Sequence, residues 1–307
     1  MKSILLIIPY FGKWPVWFEA YLVSIQKNPS VNWLFITDCE LPVHPPSNTE
    51  FVSSSLSEFN DRVNAHFGVN VPLSPRKICD LRVAFGELFS TELQNYDFWG
   101  FCDLDIIWGD IRACITPEKL KNYDLISSRK HNTSGHFTIV KNTPTNAAYY
   151  HHIANYKELL QQEELQRIDE DGLTAVIQEK NNLKVDWSKT LLNHDGKGRA
   201  HQEYVYDRWK WEQGKVMNTQ TGQEVMYLHF INWKRTMQYS EIRYDDQPKH
   251  FYISFNGMHY QLHSIIQRRK RDFINIFKGY NIQEKQRIGR LKLKSFLKKV
   301  KRKLKLN

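Results

Sequence analysis

The stretch Asp97-Phe98-Trp99-Gly100-Phe101-Cys102-Asp103-Leu104-Asp105 decides the fold, because a hydrophobic segment ends directly in two acidic residues. Residues 98–102 have the continuous apolar character of a strand that is buried on both faces of a parallel sheet. A strand turns alternate side chains to the same face, so Asp103 and Asp105 can reach one point. Carboxylate oxygens at such a point suit Mg²⁺ or Mn²⁺. The alternative interpretation is a pair of solvated loop acids.

Outward from this stretch, strands alternate with helices over the first 110 residues. The predicted strands span residues 4–8, 33–37, 51–53, 98–102, 137–140 and 226–230, the last being the final strand, and the predicted helices span 15–27, 57–67, 78–89 and 171–179. This alternation predicts βαβ units and a mostly parallel sheet. Ligands bind such sheets outside the carboxyl ends of the strands. Asp38 follows the second strand, so the sequence predicts a site that it shares with Asp103 and Asp105.

The charge of the chain is divided unevenly. Of its 307 residues, 41% are hydrophobic and 25% charged, which is ordinary for a globular protein with a sizeable core. Residues 268–307 contain 16 Lys or Arg and two acidic residues, a net +14, so the other 267 residues carry −4 of the total +10. An acidic partner is therefore expected for the C-terminal end, either anionic lipid or nucleic acid.

The cysteines and the apolar segments indicate the cellular compartment in which the protein is expected. None of the four cysteines forms a C-x-x-C pair, so neither a zinc site of that kind nor a redox motif is indicated, and free thiols in a reducing compartment are the default. The apolar run Ile4–Ile8 is too short for a signal peptide. No segment approaches the roughly 18 apolar residues of a membrane span. A cytoplasmic protein is expected.

The C-terminal end has the pattern of a basic amphipathic helix. Apolar residues recur there at roughly helical spacing between Lys and Arg residues, at Ile288, Leu291, Phe296/Leu297, Val300 and Leu304. Such helices lie in a membrane interface, which predicts a peripheral protein on the inner face of the cell membrane. A disordered solubilising tail and a nucleic-acid-binding arm are the alternatives. The body has no motif that resembles a nucleic-acid-binding module, which argues against a nucleic-acid partner.

The order of motifs resembles that of the GT-A glycosyltransferases, particularly the family 8 type that includes lipopolysaccharide galactosyltransferases and glycogenin. The motifs are Arg82 on a helix, Asp103-Leu104-Asp105, Ser134-Gly135-His136-Phe137-Thr138-Ile139-Val140, Asp169-Glu170-Asp171-Gly172-Leu173 and His229-Phe230-Ile231-Asn232-Trp233-Lys234. The resemblance covers residues 4 to 234. It implies one α/β GT-A catalytic domain over residues 1–260. The basic amphipathic pattern, and not the resemblance, predicts a membrane-associating tail over 261–307. The opening Pro9-Tyr10-Phe11-Gly12 is similar to small bacterial enzymes of capsule and O-antigen synthesis.

The resemblance also implies residue roles. Asp103, Asp105 and His229 would bind Mn²⁺ or Mg²⁺ on the donor diphosphate, and Lys234 would neutralise phosphate. Further contacts to the nucleotide-sugar are implied for Tyr10, Phe11, Asp38, Lys77, Asp80 and Arg82, and catalytic roles at the sugar ring for Asp169, Glu170 and Asp171. Each role has a plainer alternative. A histidine on an apolar strand is often a core residue, an acidic triplet suits a first helical turn, and Asp80 can simply pair with Lys77 or Arg82.

The reaction implied is transfer of a hexose from a UDP-linked donor to a glycan hydroxyl, on a lipid-linked intermediate of surface polysaccharide. The chain departs from the family 8 pattern, because no Lys-Pro-Trp follows His229 and the triplet has Glu170 instead of Gln. A retaining enzyme would place Glu170 near the reacting carbon, and an inverting one would use Asp171 or Glu170 as base. Motif order favours retention. The alternatives are a sugar-phosphate nucleotidyltransferase, although residues 9–12 lack the expected Gly-rich loop, and a nucleic-acid-binding protein acting through its tail.

Overall fold

The computed structural model describes residues 1–187, 206–231 and 233–277, together with residues 286, 289, 290 and 293. The chain divides into two compact units, Met1–Tyr260 and Gln261–Asn307. The strands are β1 Ile4–Pro9, β2 Val31–Thr37, β3 Thr49–Ser53, β4 Phe98–Cys102, β5 Ile106–Trp108, β6 Leu125–Ser127, β7 Phe137–Lys141, β8 Val185–Asp186, β9 Trp209–Glu212, β10 Lys215–Asn218, β11 Glu224–Val225, β12 Tyr227–His229, β13 Tyr239–Ser240, β14 His250–Ser254 and β15 Gly257–His259. The α-helices are α1 Phe18–Gln26, α2 Leu56–Phe67, α3 Ile78–Leu81, α4 Phe85–Leu88, α5 Ile111–Cys114, α6 Pro117–Asn122, α7 Pro144–Ala147, α8 Tyr156–Leu160, α9 Leu173–Lys180 and α10 Ile265–Phe277.

The central sheet has seven strands in the order β3-β2-β1-β4-β7-β6-β8. The β1–β2, β1–β4, β2–β3 and β6–β8 pairs are parallel, and the β4–β7 and β6–β7 pairs are antiparallel. The predicted α/β fold with a mostly parallel sheet is therefore confirmed. Because β2, β1 and β4 are parallel neighbours, their carboxyl ends meet at one edge of the sheet.

Two hydrophobic cores lie on opposite faces of this sheet. Leu6 and Ile8 of β1 point into one core, and Leu5 and Ile7 point into the other. A strand buried on both faces reads as an unbroken apolar run, since alternate side chains enter different cores. The run Ile4–Ile8 is apolar for this reason.

A second sheet of six short strands has the order β11-β10-β9-β14-β15-β13, and β12 pairs with β5 in a separate antiparallel ribbon. The prediction that residues 226–230 form the final strand is wrong, because β13, β14 and β15 follow it. These strands have two to five residues each, too few for a periodic pattern to identify. The predicted helix over 78–89 is also interrupted, by a 3₁₀ turn at Arg82–Ala84.

The basic end of the chain begins with α10. Among the described residues, no helix has the length and apolar character needed to cross a membrane. The apolar positions predicted to form an amphipathic helix between 288 and 304 lie outside the described residues.

Candidate active site

The carboxyl ends of three neighbouring strands supply the first side chains of the site. Tyr10 follows β1, Asp38 follows β2, and Asp103 follows β4. The backbone N–H of Gly12 donates to Asp38 Oδ1 at 2.7 Å, which ties the loop after β1 to the loop after β2. Burial raises the pKa of Tyr10, and the charges of Cys39 and Asp105 raise it further. Tyr10 therefore lies within the electrostatic field of Asp105.

Asp103, Asp105 and His229 form a cluster in which the three potential ligand atoms lie within 4.8 Å of one another. His229 Nε2 is 3.7 Å from Asp103 Oδ2 and 3.5 Å from Asp105 Oδ1. The β12–β5 ribbon produces this approach, because it pairs His229 with Ile106, the residue after Asp105. Two carboxylates and one imidazole at these separations fit a single Mn²⁺ or Mg²⁺ ion.

Asp105 is the most strongly perturbed acid of this cluster. Burial alone would raise its pKa, but the charges and hydrogen bonds of His229 and Lys234 outweigh burial and hold the pKa well below the usual value. The Lys234 ammonium lies 3.0 Å from Asp105 Oδ2, and the Lys234 side chain is 42% exposed. Asp105 is therefore ionised at neutral pH, as a metal ligand must be.

Arg82 connects the cluster of Asp103, Asp105 and His229, called here the metal-type cluster, to the acidic segment Asp169-Glu170-Asp171. Its guanidinium contacts Asp103 Oδ1 at 2.6 Å and Asp169 Oδ2 at 3.3 Å. It also donates to the carbonyl oxygen of Gly135 at 2.7 Å. The approach requires glycine at 135, because a Cβ there would lie 2.8 Å from Asp169 Oδ2 and 3.1 Å from Arg82 Nη1.

The acidic segment Asp169-Glu170-Asp171 lies in a π-helical turn, Ile168–Gly172. Burial raises the pKa of Asp169 to about 6, with contributions from the Glu170 and Asp103 charges and an opposing one from Arg82. Single π turns inside helices often occur at functional sites. The segment thus presents a buried acid that can change its protonation state near neutral pH.

The other two acids of the segment are held by arginines. Glu170 accepts from Arg129 at 2.8 Å, from Arg167 at 2.5 Å and from the backbone N–H of Gly135 at 3.2 Å. Asp171 is exposed and pairs with Arg167 at 2.9 Å. Glu170 is therefore fixed against Gly135, whereas Asp171 faces solvent.

Lys77 and Asp80 form a fully buried ion pair at 3.0 Å. The Lys77 ammonium also donates to the carbonyl oxygens of Leu159 and Glu164, and Asp80 accepts from the backbone N–H groups of Gln166 and Ile168. The pair thus anchors the loop that leads into the acidic segment. These contacts correspond to the plainer interpretation of Asp80, as the partner of Lys77.

Phe11 is buried in the core and packs against Phe59, with ring centroids 5.6 Å apart. Of the two aromatic residues expected to contact the nucleotide-sugar, the structure leaves Tyr10 half-buried at the strand ends and places Phe11 inside the core.

The sequence assigned no role to Arg129, Arg167 or Tyr227. The Tyr227 hydroxyl lies 2.7 Å from Nδ1 of His136. Arg129 and Arg167 neutralise Glu170, and Arg167 has a positive φ of 59° immediately before the acidic segment. The position of Arg167 next to three acids is a signal that could have identified it. Arg129 lies about 40 residues away in the chain, and no local pattern indicates its contact.

Several solved structures are similar to this chain at low identity. The apo form of the glycosyltransferase GlyE of Streptococcus pneumoniae TIGR4 is 13% identical with a TM-score of 0.42, over 78% of this chain and 57% of that one. The galactosyltransferase LgtC, in complex with donor and acceptor sugar analogs, is 11% identical with a TM-score of 0.40, and the match covers 76% of this chain and 90% of LgtC. Mouse xyloside xylosyltransferase 1 is 9% identical with a TM-score of 0.37, and the match covers 74% of this chain and 96% of the mouse enzyme. Similarity at this level does not transfer an activity.

The family comparison covers most of the chain. No curated protein matches it. One family model, described as a family of unknown function (DUF6625), matches residues 6–261 and so includes all of the central sheet except the first two residues of β1, and every residue of the candidate site. Since this match spans well over half of the chain, the protein belongs to the DUF6625 family.

Proposed function

We propose that this protein is a glycosyltransferase that moves a hexose from a UDP-linked donor to a glycan hydroxyl. The observation that carries the proposal is the convergence of Asp103, Asp105 and His229 beside the cationic groups of Arg82 and Lys234. Carboxylate and imidazole ligands beside cationic side chains at the carboxyl edge of a parallel sheet suit a metal-bound diphosphate. The acceptor we propose is an intermediate of surface polysaccharide synthesis.

The chemistry of the proposed reaction requires stabilisation of a leaving diphosphate. A divalent cation held by Asp103, Asp105 and His229 would supply Lewis-acid stabilisation of the negative charge on that group. Lys234 is exposed beyond Asp105 and adds positive charge at the same place, where it favours the transition state more than the ground state. The ion pair with Arg82 holds the Asp103 carboxylate in a fixed orientation within the cluster.

Asp169 and Glu170 are the acids that we assign to the sugar-binding side. Arg82 connects Asp169 to the cluster, and Glu170 is fixed on Gly135. A carboxylate near the reacting carbon stabilises an oxocarbenium-like transition state electrostatically. With the motif order as support, we propose retention of the anomeric configuration, which proton NMR of the product would test.

Thermal unfolding with nucleotides tests the class of the donor. UDP with Mn²⁺ is expected to raise the melting temperature by roughly 5–10 °C at about 100 times its dissociation constant, since binding to the folded state alone adds about 2.7 kcal/mol. UDP with EDTA, and UMP with Mn²⁺, are expected to give much smaller shifts, because either the cation or the diphosphate is missing.

ADP with Mn²⁺ is the control for base selectivity. A shift equal to that of UDP would contradict a uridine donor but keep a metal-diphosphate site. Absence of any shift with all nucleoside diphosphates and Mn²⁺ would contradict the glycosyltransferase proposal itself.

We also propose that the C-terminal unit binds an anionic membrane surface. Exposed apolar side chains lie at helical spacing on α10, with Ile265 exposed by 71%, Ile266 by 79% and Phe273 by 69%. Arg269 and Lys270 are exposed on the same helix. Burial of apolar side chains combined with attraction to anionic lipid gives the two signals that stable peripheral binding needs.

The double substitution Ile266→Ser and Phe273→Ser is expected to lower binding to vesicles of phosphatidylserine and phosphatidylcholine by roughly 10-fold, because two inserted apolar groups are lost. Vesicle sedimentation measures this. Val43→Ser, which removes an exposed apolar side chain from the other unit, is the matched control and should not change binding. Equal vesicle binding by the α10 variant would contradict the assignment, and truncation of residues 286–307 would then show whether charge alone is responsible.

A further inference from the structure

His136 touches two of the three residues of the metal-type cluster, although it is not a member of the cluster. Its carbonyl oxygen accepts the backbone N–H of Asp103 at 3.3 Å. Its imidazole stacks on that of His229, with ring centroids 4.3 Å apart and an interplanar angle of 26°. His136 is buried, so these contacts are shielded from solvent. One residue therefore contacts the backbone of one potential ligand and the side chain of another.

The ring of His136 is itself held in place. Its Nδ1 lies 2.7 Å from the hydroxyl of Tyr227, and this tyrosine is fully buried against Trp108, at a centroid distance of 5.1 Å. Tyr227 and His229 are two residues apart on β12, so their side chains leave the strand on the same face. His136 lies against both of them on that face.

From this arrangement we infer that the His136 side chain, oriented by Tyr227, is a positioning group that sets the geometry of His229 for a divalent cation. The inference rests on the proposed metal site. Stacking on a fixed ring restricts the rotation of the His229 imidazole. The carbonyl contact to Asp103 belongs to the backbone and stays when the His136 side chain is replaced. Groups that orient metal ligands from outside the coordination sphere typically change metal affinity by about 10–100-fold when they are removed.

Direct measurement of Mn²⁺ binding tests this role without any assay of transfer. The free Mn²⁺ signal in electron paramagnetic resonance gives the dissociation constant for the folded protein at a temperature well below unfolding. His136→Ala is expected to raise this constant by about 10-fold. His136→Phe, which restores a flat ring against His229, is expected to recover most of the loss. Tyr227→Phe removes only the hydroxyl and is expected to weaken Mn²⁺ binding by roughly 3-fold, since one orienting hydrogen bond is lost.

Two reference variants separate the outcomes. Leu228 lies between Tyr227 and His229 on β12, is fully buried, and its side chain leaves the strand on the opposite face. The substitution Leu228→Ala therefore destabilises the same strand from the face opposite to His136. It should lower the melting temperature and leave the Mn²⁺ affinity unchanged. Asp105→Asn removes one negative charge from the cluster and should weaken Mn²⁺ binding far more than His136→Ala does.

The proposed metal site fails if wild-type protein binds no Mn²⁺ or if Asp105→Asn binds it equally well. If binding depends on Asp105 but His136→Ala and Tyr227→Phe keep the wild-type affinity, the positioning role alone is overturned. A Leu228→Ala variant that weakens Mn²⁺ binding as much as His136→Ala would also overturn it, because general loosening of β12 would then explain the effect.

Discussion

Replacing Asp105 with Asn is expected to lower kcat/KM for the proposed sugar transfer by on the order of 10²–10³-fold, the size of effect seen when one preorganised electrostatic group is lost from an active site. Asp105 is buried, ionised and 3.5 Å from His229. An amide keeps the size of the side chain but removes the negative charge that attracts a divalent cation. Release of UDP from the donor, measured over a range of Mn²⁺ concentrations, checks the result.

The fold should survive this change. Lys234 loses a partner but is exposed, so water can solvate its ammonium. Asp61→Asn is the matched control, because it makes the same chemical change on the exposed surface of α2 and should leave transfer unaltered. Full activity of Asp105→Asn, or wild-type activity in excess EDTA, would contradict a metal-dependent reaction.

Replacing Lys77 with Met is expected to reduce the free energy of unfolding by about 3–5 kcal/mol, because it leaves a buried carboxylate without its counter-charge. Both side chains of the Lys77–Asp80 pair are completely buried. The ammonium also satisfies two carbonyl oxygens in the loop before the acidic segment, so these acceptors lose their donor as well. Urea denaturation measures the change.

The same substitution at an exposed pair provides the control. Lys215 and Glu224 lie 3.2 Å apart on the surface, and Lys215→Met is expected to cost no more than about 1 kcal/mol. The double variant Lys77→Met and Asp80→Asn should cost less than the sum of the two single variants, since no unpaired charge stays buried. A loss below about 1 kcal/mol for Lys77→Met alone would contradict the anchoring role.

The central sheet could be predicted because each of its main strands carries its own signal. Residues 4–8 and 98–102 are apolar without interruption, and this happens only when both faces of a strand are covered. The small strands after residue 230 could not be predicted in the same way. β13 has two residues and β15 has three, and they are strands only because β14 and its neighbours supply the pairing partners.

The candidate site was predictable in part. Asp38, Asp103 and Asp105 follow strands, so local sequence places them at one edge of the sheet. Lys77 and Asp80 illustrate the limit, because three residues of spacing on a helix fit a surface pair equally well. Their complete burial depends on carbonyl and N–H groups more than 80 residues away in the chain.

The sequence by itself determined that a buried strand ends in two carboxylates and that the positive charge of the chain lies at its C-terminal end. Both properties are local, since they depend only on which residues are adjacent. The tertiary structure alone decided that His229 meets these carboxylates, that Arg82 joins Asp103 to Asp169, and that Lys77 is buried. Such contacts join residues far apart in the chain: the β12–β5 ribbon pairs His229 with Ile106, and the backbone at residue 168 bonds to Asp80 of α3. No local pattern records these contacts.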